Sequence, residues 1–241
     1  MSKLSWDETG SRIYETGVKN GVLFVMDPEE ETGYRSGVAW NGITGITESN
    51  TGAEETALWA DDVKYASMRS AEEFGATIEA YQCPTEFYEC DGLAEIVPGL
   101  TINQQSRKGF GLSYVTTIGN DVKGNSYGEK IHLIYGATAS PSERSYATVN
   151  DSPDAMTLSW EITTTPVNVT GYKPTAHLIV DSTKSSKRQL KELKEAIYGT
   201  NETESYLPTP DEVKEILTIP VLCDSNGNVV VGSDGSAILM H

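Results

Sequence analysis

Alternation of apolar and polar residues over one short segment constrains the fold of this chain more than any other sequence feature. Residues 156–163 place an apolar side chain at every second position, at Met156, Leu158, Trp160 and Ile162. A repeat of two is typical of a β-strand with one buried face and one polar face. The same alternation recurs at 110–118 and 131–135, and weaker strand candidates lie at 22–26, 76–82 and 176–180. The chain is therefore predicted to be mainly β.

Two helices are predicted near the C-terminus. In 186–198 the residues Leu190, Leu193 and Ile197 form one apolar stripe, Ser185 or Ser186 can cap the start, and Gly199 can end the helix. In 210–217 a capping box, Thr209 with Glu212, precedes the apolar residues. Both helices are expected to pack against the β core. Residues 218–241 are predicted to form a C-terminal hairpin extension or arm, since Asn226-Gly227 is a strong hairpin turn signal.

Negative charge dominates the chain and is distributed unevenly. Its 241 residues hold 18 Lys and Arg against 35 Asp and Glu, a net charge of −17. Residues 1–100 hold 6 basic and 19 acidic residues, whereas residues 101–241 hold 12 and 16. A protein that grips nucleic acid neutralises phosphates with Lys and Arg, so this composition argues against a nucleic-acid-binding function.

The segment 47–75 lacks a clear period and combines acidic with large apolar residues. It is predicted to be a long acidic inter-strand loop, and such loops in compact domains are usually functional or disordered. Its aromatic residues favour function, because burying them requires a partner surface, such as another copy of the chain. The candidate contact residues are Trp59, Asp61, Asp62 and Tyr65. The candidate acidic residues facing a channel or an interface are Glu54, Glu55, Glu72 and Glu73.

The sequence contains no recognisable catalytic, cofactor or metal motif, and the chain is predicted not to be an enzyme. His132 and His177 fall inside predicted strands, where histidines are more often structural than catalytic. Cys83, Cys90 and Cys223 have no metal or redox spacing and are expected to be free thiols, although a Cys83–Cys90 disulfide remains open if that segment is a hairpin. No apolar run is long enough to span a membrane, and no secretory signal is visible, which predicts folding in a cytoplasm.

Several segments resemble, in order and spacing, the major tail tube proteins of long-tailed (siphovirus-type) phages and prophages of Gram-positive bacteria. The main ones are 160–167 (WEITTTPV) and 171–181 (GYKPTAHLIVD), followed by 197–200 (IYGT) and 207–213 (LPTPDEV). Upstream, 59–65 (WADDVKY), 93–99 (LAEIVPG) and 108–112 (KGFGL) continue the resemblance. Together these segments cover most of residues 12–217, and the resemblance rests on their order rather than on one diagnostic motif.

This resemblance implies a β-sandwich or half-barrel subunit, residues 1–217, with flanking C-terminal helices. Such subunits form hexameric rings, and the rings stack into a tube through a long loop and terminal arms. The implied partners are other copies of the chain, the tape measure protein, the tail terminator and the distal tail or baseplate proteins. DNA passes through the channel without specific binding. The implied location is the tail of the virion, assembled in the host cytoplasm, with no cofactor and no membrane contact.

Two other functions fit the same sequence. The inner tube of a contractile tail or injection particle uses a related subunit fold, and a neighbouring sheath gene favours that variant. A monomeric β-sandwich binding module, such as a carbohydrate or adhesion domain, is compatible with the 12 tyrosines. Enzymatic activity fits least, because no nucleophile and base converge in the sequence.

Overall fold

Antiparallel strands are the main secondary structure of the chain. A computed structural model describes residues 4–146, 148 and 155–218. Its strands are β1 (Ile13–Val25), β2 (Val38–Trp40), β3 (Ile43–Glu48), β4 (Thr51–Gly52), β5 (Glu55–Ala60), β6 (Val63–Arg69), β7 (Glu72–Glu73), β8 (Gly75–Ala80), β9 (Ala94–Val97), β10 (Leu100–Ile102), β11 (Phe110–Asn120), β12 (Gly124–Ala139), β13 (Leu158–Thr164) and β14 (His177–Asp181).

One eight-stranded sheet forms the body of the molecule. Its strands follow the order β2-β1-β11-β12-β13-β8-β3, and β14 pairs with β12 beside them. The two end strands, β2 and β3, are joined by a short turn at Asn41-Gly42, and β3 comes back into contact with β1. A Cβ atom on Gly21 of β1 would lie only 2.4 Å from Cδ1 of Ile43 in β3. The sheet therefore curls strongly upon itself, and a side chain at Gly21 would require the Ile43 side chain to move.

Both faces of the central strands are buried. On β1, Leu23 and Val25 point into a core inside the curled sheet, while Val22 and Phe24 point into a second core on its outer face. The side chains of β13 alternate as predicted, since Trp160 and Ile162 are buried and Glu161 is exposed. The prediction of a mainly β, sandwich-like fold with C-terminal helices is confirmed.

Two helices cover the outer core, as predicted. Helix α2 (Lys187–Tyr198) begins at Ser186, whose side chain and that of Gln189 form a capping box, so Ser186 rather than Ser185 is the cap. Helix α3 (Pro210–Thr218) begins after Thr209, whose backbone N–H donates to Glu212 at 2.7 Å. The predicted hairpin or arm at 218–241 lies outside the described residues except for Thr218.

A short helical segment that the sequence did not indicate closes the inner core. A 3₁₀ turn (Thr85–Phe87) continues directly into α1 (Tyr88–Asp91) and inserts the ring of Phe87 into the core. The segment between Cys83 and Cys90 is therefore helical, not a hairpin, and both cysteines are free. Burial raises the pKa of the Cys90 thiol to about 12, so the thiol stays protonated at neutral pH.

Candidate functional site

A two-stranded hairpin leaves the body between the neighbouring strands β3 and β8. We call residues 49–74 the arm: β4 and β7 pair at its root, and β5 and β6 pair beyond them. The segment 47–75, predicted as a loop, is therefore mostly paired strand. The period of two was obscured because Trp59 lies on the same face of β5 as Glu55 and because a β-bulge interrupts the pairing beside it.

The tip of the arm is a two-residue turn formed by Asp61 and Asp62. Both have positive φ angles, 50° and 61°, which is the conformation of a type I′ hairpin turn. Aspartate tolerates this left-handed conformation better than most residues with a Cβ atom. Two exposed carboxylates therefore lie at the tip of the arm.

One face of β5–β6 carries an ion-pair network around Glu55. Its carboxylate accepts hydrogen bonds from Lys64 and from the Ser67 hydroxyl, the latter at 2.6 Å, and lies 3.5 Å from Arg69. The hydrogen bond from Lys64 is the main cause that lowers the pKa of Glu55. Glu55 is therefore locally neutralised, unlike an acidic group free to face a channel.

The opposite face of β5–β6 is apolar and is not covered by any other described part of the chain. Residues paired across antiparallel strands share a face, so the pairs of Leu58 with Ala66 and Ala60 with Val63 place their side chains together. The exposed fractions are 41% for Leu58, 60% for Val63 and 62% for Met68. Trp59 and Tyr65, next to the bulge, are exposed to 70% and 76%.

The remaining acidic candidates lie at the root of the arm. Glu54 lies between β4 and β5, and Glu72 and Glu73 form β7. Glu72 accepts a hydrogen bond from the Asn50 side chain at 2.8 Å. Within the described part of the chain, none of these three carboxylates forms a salt bridge. The structure thus brings all eight candidate residues onto one arm and distributes them over its tip, its faces and its root.

A second cluster lies where β3, β12 and β14 meet, and no sequence pattern predicted it. Nδ1 of His132 lies 3.1 Å from Nε2 of His177, and Oε1 of Glu48 lies 3.6 Å and 3.9 Å from these two atoms. Burial lowers the pKa of His132, and that of His177 to about 4. The two histidines are far apart in sequence, and only the pairing of β12 with β14 brings them together.

This histidine cluster is held by further contacts. The Tyr114 hydroxyl donates to Glu48 at 2.8 Å, and Thr116 Oγ1 lies 3.1 Å from Nε2 of His132. The rings of Tyr114 and His132 stack with centroids 4.5 Å apart. A cleft beside the arm root, of about 850 Å³, is lined on one side by His177 and Phe74. His177 therefore borders solvent-accessible space, although its side chain is only 11% exposed.

Across the described residues, every helix is too short or too polar to cross a bilayer. Comparison with known proteins finds no matching family model and no matching curated protein. Among solved structures, the chain is similar to a chain in the cryo-EM structure of the anti-feeding prophage baseplate, symmetrised six-fold. That similarity has a TM-score of 0.34 with 8% identity, and it covers 73% of this chain and 97% of the other. A similarity of this size assigns the chain neither to a family nor to a function.

Proposed function

We propose that this chain is a structural, non-enzymatic subunit that self-assembles into stacked hexameric rings, the tail tube of a long-tailed phage. The observation that carries the proposal is the apolar face of the arm, which no other described residue covers. The ordered sequence resemblance over most of residues 12–217 supports the same conclusion. The tube would hold the tape measure protein first and pass DNA later, and its ends would bind the tail terminator and distal tail proteins.

Burial of the arm against a second copy is energetically reasonable. Complete burial of one Leu, Val or Met side chain contributes roughly 1.5–3 kcal/mol. The three exposed side chains of the apolar face, with Trp59 and Tyr65 beside them, offer several times that amount. Part of this free energy offsets the loss of translational and rotational freedom on association. Because the contact is repeated around a closed ring, a pairwise contact of modest affinity is sufficient for assembly.

The charge of the arm root fits a channel that DNA must traverse. Carboxylates repel phosphates over a screening length of roughly 8 Å at physiological salt, so only groups close to the channel wall matter. Glu54, Glu72 and Glu73, which have no salt-bridge partner among the described residues, are the proposed groups of this kind. Glu55, held by Lys64 and Arg69, is proposed instead to keep the arm rigid.

Negative-stain electron microscopy of the concentrated, purified protein tests this function. Rings or tubes are expected. Leu58→Ser combined with Met68→Ser should prevent assembly while leaving the melting temperature of the monomer nearly unchanged, because both side chains are exposed. Val122→Ser is the matched control, since Val122 is 61% exposed on the turn between β11 and β12, outside the arm, and it should assemble normally.

A chain that stays monomeric at high concentration, with an initiating tail complex present, would contradict the proposal and favour the monomeric binding module. Assembly that persists in the Leu58→Ser/Met68→Ser variant would place the subunit contact elsewhere. The location in the virion tail can be checked separately by identifying the protein in purified particles.

A further inference from the structure

We propose that Glu48, His132 and His177 form a binding site for one divalent transition-metal ion of the zinc class. The proposal is independent of assembly, since all three residues belong to the body of one chain. Imidazole nitrogen and carboxylate oxygen are the ligands that zinc and similar first-row ions take in proteins. The three potential ligand atoms lie within 4.8 Å of one another.

The spacing of the three atoms fits an ion better than it fits direct hydrogen bonds. With sides of 3.1, 3.6 and 3.9 Å, a point equidistant from all three atoms lies about 2.1 Å from each. Zn–N distances are about 2.0–2.1 Å and Zn–O distances about 2.0–2.2 Å. By contrast, the Glu48 oxygen is beyond hydrogen-bond distance from both imidazoles. An ion at that point would replace the 3.1 Å contact between the two imidazoles and the two longer contacts to Glu48 with three metal–ligand bonds, and it would leave a fourth position for water.

The surroundings of the ligands are those that metal sites use to orient them. A ligating histidine usually hydrogen-bonds through its other ring nitrogen, and a ligating carboxylate is itself hydrogen-bonded. Nε2 of His132 lies beside the Thr116 hydroxyl and 3.7 Å from Glu15, and Glu48 accepts from Tyr114. The cleft bordered by His177 gives an entry path.

Because of the position of Glu48, a bound ion would affect how the arm is attached to the body. Glu48 is the last residue of β3, after which the chain leaves the main sheet for the arm. His132 and His177 lie on β12 and β14, in the body. A bound ion would therefore link the root of the arm to the sheet and fix the direction in which the arm leaves the body.

Zinc titration of chelator-treated protein tests the site, followed by equilibrium dialysis and thermal unfolding. One ion per chain is expected, with a melting temperature raised by about 5–10 °C when Zn²⁺ is at about one hundred times Kd. Co²⁺ in place of Zn²⁺ should give the visible absorption of a nitrogen–oxygen site. His177→Gln and Glu48→Gln should each weaken binding at least about a hundredfold, and Thr116→Val about ten- to a hundredfold.

Two controls separate this site from adsorption to an acidic surface. Glu79→Gln removes an exposed carboxylate elsewhere on the main sheet, and His241→Ala removes the remaining histidine of the chain; both should bind as the unaltered protein does. If His132→Gln fails to fold, the Glu48 and His177 variants still decide the question. Several weak ions per chain, no thermal shift, or affinity unchanged in His177→Gln would overturn the proposal.

Discussion

The ring of Phe87 packs edge-on against the indole of Trp160, with centroids 5.2 Å apart and an interplanar angle of 77°. Phe87 lies on the short helical segment, and Trp160 lies at the centre of β13. Trp40 completes the group, 4.6 Å from Phe87, and donates from Nε1 to the Gln82 carbonyl at 2.8 Å. Three parts of the chain distant in sequence therefore meet in one aromatic cluster, which closes the inner core.

Replacing Phe87 by Ala should destabilise the protein by about 3–5 kcal/mol, because a fully buried aromatic side chain leaves a cavity in a rigid core. Chemical denaturation with an unchanged m-value is the measurement. Tyr81→Ala is the control: Tyr81 is 56% exposed, and its loss should change the free energy of unfolding by no more than about 0.5 kcal/mol. Equal effects of the two substitutions would contradict the described core.

Asp91→Asn should destabilise the protein by about 1–3 kcal/mol. The Asp91 side chain is 8% exposed and binds two guanidinium groups, those of Arg107 and Arg144. The neutral amide leaves both cations without their counter-charge, although their partial exposure to water keeps the cost below that of a fully buried pair. Glu86→Gln is the control: Glu86 is an exposed carboxylate in the adjoining helical turn, and its replacement should leave the free energy of unfolding nearly unchanged. Chemical denaturation of the two variants measures the difference.

Glu89 should make a small, pH-dependent contribution to stability. A hydrogen bond from Lys108 lowers the pKa of Glu89, and Arg35 contributes in the same direction. A carboxyl group with a lowered folded pKa stabilises the protein above its unfolded pKa, about 4.3, and loses that contribution as the pH falls through the folded value. Solvent screening limits the contribution to at most about 0.5 kcal/mol.

Glu89→Gln should therefore lower the melting temperature at pH 6–7 and have progressively less effect as the pH is reduced toward 3. Glu86→Gln, which removes a carboxylate of the same charge without these partners, should show no such trend. A Glu89→Gln effect that stays constant or grows toward pH 3 would exclude the ion pairs as its cause.

Asp61→Asn combined with Asp62→Gly should stabilise the arm, because Asn-Gly is the preferred pair for a type I′ turn. Removing left-handed strain of roughly 1 kcal/mol should slow hydrogen exchange of the β5–β6 amides about fivefold. Asp61→Val with Asp62→Val should accelerate exchange instead, since branched residues disfavour positive φ. Exchange followed by mass spectrometry measures both variants, and unchanged rates in both would argue against this turn.

The sequence by itself determined the features that depend on neighbouring residues. Alternation in 156–163 identified β13, and the caps at Ser186 and Thr209 identified both helices within one or two residues. These features are local because side-chain direction repeats along a strand or helix and because caps bond within one turn. The sequence identified the candidate residues of the arm but not its hairpin. Trp59 breaks the alternation of apolar and polar residues in β5, so the local pattern did not indicate a strand there.

Tertiary structure alone decided which distant residues meet. The register of β12 with β14 aligns His132 with Ile179 and His177 with Ile134, and the curl of the sheet then brings Glu48 beside both imidazoles. Likewise, Phe87 is buried because its short helical segment packs against Trp40 of β2 and Trp160 of β13. Strand pairing between distant segments depends on the fit of the whole core, and no local pattern encodes it.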